Sequence, residues 1–278
     1  MSAAKERIDV LLVERGYYES REKAKAALMA GLVLVNGERV EKGGTKVPRS
    51  AAIQVKGAPH PYVSRGGLKL EKAIRTFGIS LAGRVMIDIG ASTGGFTDCA
   101  LQHGAALVYA VDVGYNQLDW SLRQHPQVRV MERTNFRYMQ PGDLDGPAPD
   151  VASIDVSFIS LKLILPALAG LIKPGGTVVA LIKPQFEAGR EKVGKQGVVR
   201  DPAVHEEVIA GVAGFAAEKG FALRGLTYSP ITGGEGNIEF LAYWTFEGEP
   251  QSLPVSANEI RSLVSEAAHA FSPGKSTG

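Results

Sequence analysis

Val85-Met-Ile-Asp88-Ile-Gly90-Ala91-Ser92-Thr-Gly94-Gly95-Phe96 reads as a strand, a tight turn and the opening of a helix. The apolar, β-branched run sets the strand, and the glycines let the backbone turn and bring N–H groups close to a ligand. A helix N-terminus placed there favours a carboxylate. Working outward, the next strand candidate, Leu107–Val113, carries Asp112, 24 residues after Asp88. An acid at that strand end can accept both hydroxyls of a nucleoside ribose. The glycine spacing is not G-x-G-x-x-G, so a dinucleotide is the weaker reading and a nucleoside cofactor the stronger. The expected cofactor positions are Asp88, Gly90, Ala91, Ser92, Gly94, Gly95, Phe96 and Asp112.

Further strand candidates follow at Val128–Glu132, Val151–Val156, Thr177–Ile182, Ala222–Tyr228 and Ile238–Phe246. Helical patterns lie at Gly95–His103, Leu118–Gln124, Ser160–Leu171 and Ala203–Lys219. Strands alternating with helices predict an α/β fold with a doubly wound, mostly parallel sheet of seven strands. The last strand, close after its predecessor, is a candidate antiparallel member. One more helix is expected at Ala257–Ala270, followed by a polar tail.

Upstream the pattern changes. Arg7–Arg15 has apolar Ile8, Leu11 and Leu12 at helical spacing and ends at Gly16. Ser20 is a candidate N-cap for a helix over Arg21–Ala30, closed by Gly31. Leu32–Asn36, an Asn36-Gly37 turn and Glu38–Glu41 predict a hairpin, with another short strand at Ala51–Val55. The expected organisation is a small α+β module over 1–57, a linker with two prolines over 58–64, the α/β body over 65–250 and a helix with tail over 251–278.

Charge follows this division. Residues 1–75 hold 15 Lys/Arg against 8 Asp/Glu, whereas the rest holds 16 against 21; the whole chain is at +2. A basic first quarter on an acidic body is the footprint expected of a polyanion-binding module. Arg7, Arg15, Arg21, Lys23, Lys25 and Arg65 are its candidate RNA contacts. No aromatic pair stands out there, so backbone and shape recognition is expected over base stacking. The single cysteine, Cys99, excludes an internal disulfide framework, and falls where a small buried hydrophobe is expected. No signal-like segment and no apolar run of spanning length is present, so a cytoplasmic protein that needs no membrane is expected. No metal site is expected.

Four charged residues read as lying near strand ends, where the ligand crevice of such a sheet opens. They are Lys69 in Ser64-Arg-Gly-Gly-Leu-Lys69, Asp155 in Asp155-Val-Ser-Phe-Ile-Ser160, Lys183 in Leu-Ile-Lys183-Pro-Gln-Phe186 and Glu239 in Gly-Asn-Ile-Glu239-Phe. Acids and lysines among apolar residues at crevice positions are not readily explained as solvated surface charge.

With these strings the chain resembles the TlyA-type, or hemolysin A, family of ribosomal RNA 2′-O-methyltransferases. The resemblance runs from about Arg7 to Phe246 and rests on SRGGLKLEKA, DIGASTGGFTD, DVSFISL, LIKPQFE and GNIEF. It implies a Rossmann-like, FtsJ-like catalytic body, an N-terminal RNA-binding domain of ribosomal-protein type, S-adenosyl-L-methionine as cofactor, and ribosomal RNA in ribosomal subunits as substrate. No obligate protein partner is implied. The family's catalytic tetrad falls on Lys69, Asp155, Lys183 and Glu239, and the target it implies is a cytidine ribose.

The chemistry suits these residue types. A ribose hydroxyl is a poor nucleophile whose proton must leave as the methyl arrives, and a lysine can take it. Lys183 is the expected base, with Lys69 supplying nearby positive charge, Asp155 orienting Lys183 and Glu239 orienting a lysine or the ribose. An amino-group methyltransferase would carry an Asn/Asp-Pro-Pro-aromatic strand end, where this chain has Asp155-Val-Ser-Phe158. Carbon-5 methylation of a pyrimidine needs a cysteine nucleophile, for which Cys99 is poorly placed. Two non-enzymatic alternatives are a membrane-active hemolysin and an RNA-binding ribosome assembly factor. Liposome leakage and cofactor calorimetry would separate them from the enzyme.

Overall fold

A computed structural model describes residues 4–18, 20–56, 60–252 and 255–272. Most of the expected linker's first half and the polar tail lie outside them. The described residues contain β1 (Lys5–Arg7), α1 (Ile8–Glu14), α2 (Arg21–Met29), β2 (Val33–Val35), β3 (Glu38–Arg39), β4 (Lys46–Pro48), β5 (Ile53–Val55) and α3 (Gly67–Phe77). The body continues with β6 (Val85–Ile89), α4 (Gly95–Gln102), β7 (Leu107–Val111), α5 (Trp120–Arg123), β8 (Val128–Met131), β9 (Val151–Ile154), α6 (Leu165–Ala169) and β10 (Thr177–Ile182). It ends with α7 (Pro184–Glu187), α8 (Pro202–Glu218), β11 (Phe221–Tyr228), β12 (Phe240–Phe246) and α9 (Ala257–Ala270).

Seven strands form one mostly parallel sheet in the order β11-β12-β10-β9-β6-β7-β8, so the expected doubly wound α/β class holds. The chain forms two compact units: Met1–Glu71 with Leu81–Asn135, and Lys72–Ser80 with Phe136–Gly278.

In the first unit, the N-terminal module packs α1 and α2 over short strands around Ile8, Leu11, Leu12, Leu28, Val33 and Ile53. Ser20 caps α2 by accepting from the Lys23 N–H. Asn36 and Gly37 both take positive φ, as a two-residue hairpin turn requires, and Val35 pairs with Glu38. The same unit holds β6, β7 and β8, paired in parallel. In the second unit, β9 and β10 are parallel and β12 is antiparallel to both β10 and β11. This reversal matters for chemistry: Ile182 at the end of β10 pairs with Phe240 at the start of β12. Residues just after β10 and just before β12 therefore share one edge of the sheet.

Three expectations need correction. The helix expected over Ser160–Leu171 is a 3-10 turn, Leu161–Leu163, followed by the short α6 with Pro166 in its first turn. Pro166 has no N–H to donate and its ring clashes with the carbonyl four residues back, so a helix cannot run through from Ser160 and α6 starts afresh with Pro166 in its first turn. The helix expected over Leu118–Gln124 is only α5. Lys69 does not lie near a strand end; it sits on α3, where Gly66 accepts from its backbone N–H.

Candidate active site

The loop from β6 to α4 is held by the protein itself. Gly90 has φ 88°, Ser92 φ 49° and Gly94 φ 101°, and the N–H groups of Gly90 and Ala91 both donate to the Val111 carbonyl. Asp112, half-buried at the end of β7, accepts the Ser92 N–H at 2.8 Å and the Gly114 N–H at 2.6 Å. A carboxylate offers about four lone-pair positions, so two remain for ribose hydroxyls. Beside it Val113 is 71% exposed, an apolar surface next to the acid. An acid able to take two hydroxyls, with exposed apolar surface adjoining it, fits a nucleoside cofactor.

The expected residues divide in two. Gly90, Ser92 and Asp112 are at least partly open. Asp88 is fully buried and accepts from Thr97 Oγ1 at 2.7 Å, so it ties β6 to α4 rather than facing a ligand. Ala91 and Phe96 are buried as well. A side chain at Gly94 would strike Leu122 and Leu118, and one at Gly95 would strike Ser64 and the Gly67 backbone. The closeness these glycines permit is thus to the protein's own chain. Cys99 is buried, and burial pushes its thiol up to about 12, which suppresses the thiolate a nucleophile needs.

In the second unit, Asp155 follows β9, Lys183 follows β10 and Glu239 precedes β12. Lys183 Nζ lies 2.6 Å from Asp155 Oδ1 and donates to Ser157 Oγ at 3.1 Å, with the lysine side chain 9% and the aspartate 18% exposed. Gln185 Nε2 donates to Glu239 Oε1 at 3.3 Å, and Glu239 is buried. The structure therefore gathers three of the four expected catalytic residues within this unit. The fourth, Lys69, is buried on α3 in the first unit.

Sequence reasoning missed the framing residues here. Glu187 accepts from Ser160 Oγ at 2.6 Å and the Leu161 N–H at 2.7 Å, clamping the segment after Asp155 to the helix after Lys183. Burial pushes the Glu187 carboxyl up, against those two bonds. Phe158 is 90% exposed, has φ 62° and lies 5.0 Å from the Phe186 ring. A bulky residue with positive φ and an exposed ring is a strained feature of the kind found at functional sites. The only sequence signal for either was their presence inside DVSFISL and LIKPQFE.

Among the candidate RNA contacts, Lys23, Lys25 and Arg21 are exposed on α2, Arg65 is exposed, and Arg7 is partly exposed. Arg15 is a correction. It is 3% exposed, pairs with Asp119 at 2.9 Å and donates to the Ala51 and Arg49 carbonyls. A guanidinium spent on three buried acceptors holds the module to the body and cannot reach RNA. Asp119 in turn donates its N–H to the Thr93 carbonyl of the cofactor loop.

Comparison with known proteins agrees with this architecture. A family model described as FtsJ-like methyltransferase matches residues 62–246, and one described as S4 domain matches residues 6–53. A Bacillus subtilis (strain 168) protein provisionally named rRNA methyltransferase YqxC is 59% identical over 96% of this chain and 95% of its own. The 16S/23S rRNA (cytidine-2′-O)-methyltransferase TlyA of Mycobacterium tuberculosis (strain ATCC 25618 / H37Rv) is 43% identical over 87% of this chain and 90% of its own. A Streptococcus thermophilus structure, provisionally described as a hemolysin, superposes with a TM-score of 0.81 at 54% identity, covering 97% of this chain and 98% of that one.

Proposed function

The chain belongs to the FtsJ-like methyltransferase family, and on that premise we propose that it moves the methyl group of S-adenosylmethionine to the 2′-hydroxyl of a cytidine ribose in ribosomal RNA. The observation that carries this reading is the Lys183–Asp155 pair with Glu239 on the same sheet edge. That set handles a hydroxyl proton, and it includes neither a reactive thiol nor an amino-group motif. The S4 match and the basic N-terminal quarter support an RNA substrate. The M. tuberculosis relative's name supports the cytidine 2′-oxygen and ribosomal RNA. Work on ribosomal subunits puts the enzyme in the cytoplasm.

When bound, S-adenosylmethionine supplies an electrophilic methyl on a sulfonium, open to in-line displacement. Asp112 would hold the cofactor's ribose hydroxyls and Val113 would back its base, with the Gly90–Ser92 backbone beside them. Lys183 Nζ, fixed between Asp155 and Ser157, would hold the 2′-oxygen and, as the neutral amine, accept its proton, while the methyl–sulfur bond breaks and the sulfur leaves as a neutral thioether. Asp155 balances the resulting ammonium. Glu239 would orient the lysine or the ribose, and Lys69 is assigned the supply of positive charge. Precise positioning contributes as much here as proton transfer. Phe158 offers an exposed aromatic face to a base drawn out of its helix. We keep residues 1–57 as the RNA-binding module and 65–250 as the catalytic domain.

Among the described residues no helix is long and apolar enough to cross a membrane. The direct test is an RNA substrate with a single 2′-deoxy sugar at the target nucleotide, found by mapping ribose methylation in cells with and without the protein. It should bind and accept no methyl. Methyl located on its base by mass spectrometry would overturn the reading.

A further inference from the structure

Two ties join the loop after β9 to the short helix after β10. At one end Lys183 Nζ lies 2.6 Å from Asp155 Oδ1 and donates to Ser157 Oγ at 3.1 Å. At the other end both oxygens of Glu187 are engaged: Oε2 accepts from Ser160 Oγ at 2.6 Å and Oε1 from the Leu161 N–H at 2.7 Å. Lys183 is the N-cap of α7 and Glu187 its last residue, so one helical turn sets the spacing between the ties. Leu161 is buried and opens the 3-10 turn that Ser160 caps. Residues 156–160 thus run between fixed ends, and the positive φ of Phe158 falls among them.

Stability does not account for a carboxylate here. Among the described residues Glu187 makes no ion pair, and its two donors are uncharged. Burial pushes its carboxyl up, so the fold disfavours the charged form. A neutral amide of the same shape would cost less to bury. What the carboxylate supplies is two acceptors side by side, for two donors on one short segment. Strained backbone persists only where its surroundings over-determine it, and the two ties do this for the loop that carries Asp155, Ser157 and Phe158.

We propose that Glu187 is a positioning residue for methyl transfer, holding the loop so that Asp155 and Ser157 fix Lys183 Nζ against the target hydroxyl. This rests on the reading of Lys183 as the base and assigns the support behind it. Glu187 itself touches no reacting atom. Its leverage comes from distance: a misplacement of about 1 Å at a reacting group costs about 10²-fold in rate.

The experiment measures single-turnover methyl transfer to ribosomal subunits by the full chain, normalised to the folded fraction read by circular dichroism. Glu187→Ala should slow the step by about 10–10²-fold at saturating RNA, while the KM for RNA and the calorimetric affinity for S-adenosylmethionine stay near those of the parent. Glu187→Gln keeps an acceptor for the Leu161 N–H and a group that bonds Ser160, so it should recover most of the rate with no loss of Tm. Combined with Asp155→Asn, Glu187→Ala should add little further loss, because both act through Lys183. Ser160→Ala removes one of the two bonds, should slow the step by about tenfold, and serves where Glu187→Ala does not fold. A parent-like rate in Glu187→Ala, or in Ser160→Ala if Glu187→Ala fails to fold, overturns the proposal. So do losses that multiply in the double variant, and so does a Glu187→Gln as slow as Glu187→Ala, which would make the charge itself the active feature. If Lys183→Ala is as fast as the parent, the catalytic reading falls as well; if it is slow while Glu187→Ala is fast, only the role of Glu187 falls.

Discussion

The loop after β6 and the loop after β9 leave comparable parallel strands, yet they are finished differently. The first is closed by its own hydrogen bonds: Gly90 and Ala91 to Val111, Ser92 and Gly114 to Asp112, Thr97 to Asp88. The second is clamped from behind by Glu187 but carries an exposed, positive-φ Phe158 and an ion pair at its base. Under the proposed function, the difference separates a seat for a small cofactor from a surface for a large substrate. A cofactor site gains from being rigid, because ordering costs are removed before binding. The positive φ of Phe158 is strain of the kind that clusters at functional sites.

The largest effect expected from this contrast is at Lys183. Lys183→Ala should lower kcat by about 10²–10⁴-fold while calorimetric affinity for S-adenosylmethionine stays near that of the parent. Lys183→Arg should be almost as slow, since a guanidinium does not release its proton near neutral pH. A fast Arg variant would reduce the lysine to an electrostatic role.

Asp112→Ala probes the other loop. Loss of its bonds to a ribose should cost about 1.5–3 kcal/mol in cofactor affinity. Unchanged affinity by calorimetry would break the assignment of the first loop as the seat.

Phe158→Gly sharpens the contrast from the stability side. An exposed ring contributes little packing, and relief of about 1–2 kcal/mol of left-handed strain exceeds glycine's entropic cost of about 0.5–1 kcal/mol, so the variant should gain up to about 1 kcal/mol in stability. It should nonetheless bind RNA more weakly. Lower stability by thermal melt would mean that the ring supports the fold rather than the substrate.

The smallest effect concerns pH. Burial pushes His60, in the first unit, and His205, in the second, below the ordinary value of 6.5. Below that value the unfolded chain takes up protons that the folded one refuses, so stability is present at neutral pH and falls as pH drops through 6.5. His205→Gln should flatten the decline of Tm between about pH 7.5 and 5.5. An unaltered slope would shift the dependence onto other groups.

The body was legible where hydrophobic pattern and length agree. β6, β10 and α9 fall where the sequence predicts them, residue for residue. β1 and β4 have three residues each, too few for a period to register. α3 was hidden because its start, Arg65-Gly66-Gly67, looks like a turn. Of the site, Asp112, Asp155, Lys183 and Glu239 could be picked out by residue type at strand ends. Ser157, Phe158, Gln185 and Glu187 could not, because their roles depend on which neighbouring segment they touch. Arg15 shows the same limit in reverse: its acid lies 104 residues away in sequence, so nothing local distinguishes it from the exposed arginines nearby.

The Arg15–Asp119 pair has an evolutionary consequence. A module joined only by a flexible tether can be lost, exchanged or grafted onto another enzyme without penalty to the host. Here the host carries a buried acid whose counter-charge belongs to the guest. Separating the two leaves Asp119 uncompensated, a defect of about 3–5 kcal/mol when such a pair loses one partner. Recombination that swaps the first 60 residues must therefore bring an arginine at the same place or rewrite the acceptor at once. The two parts are bound to be inherited together.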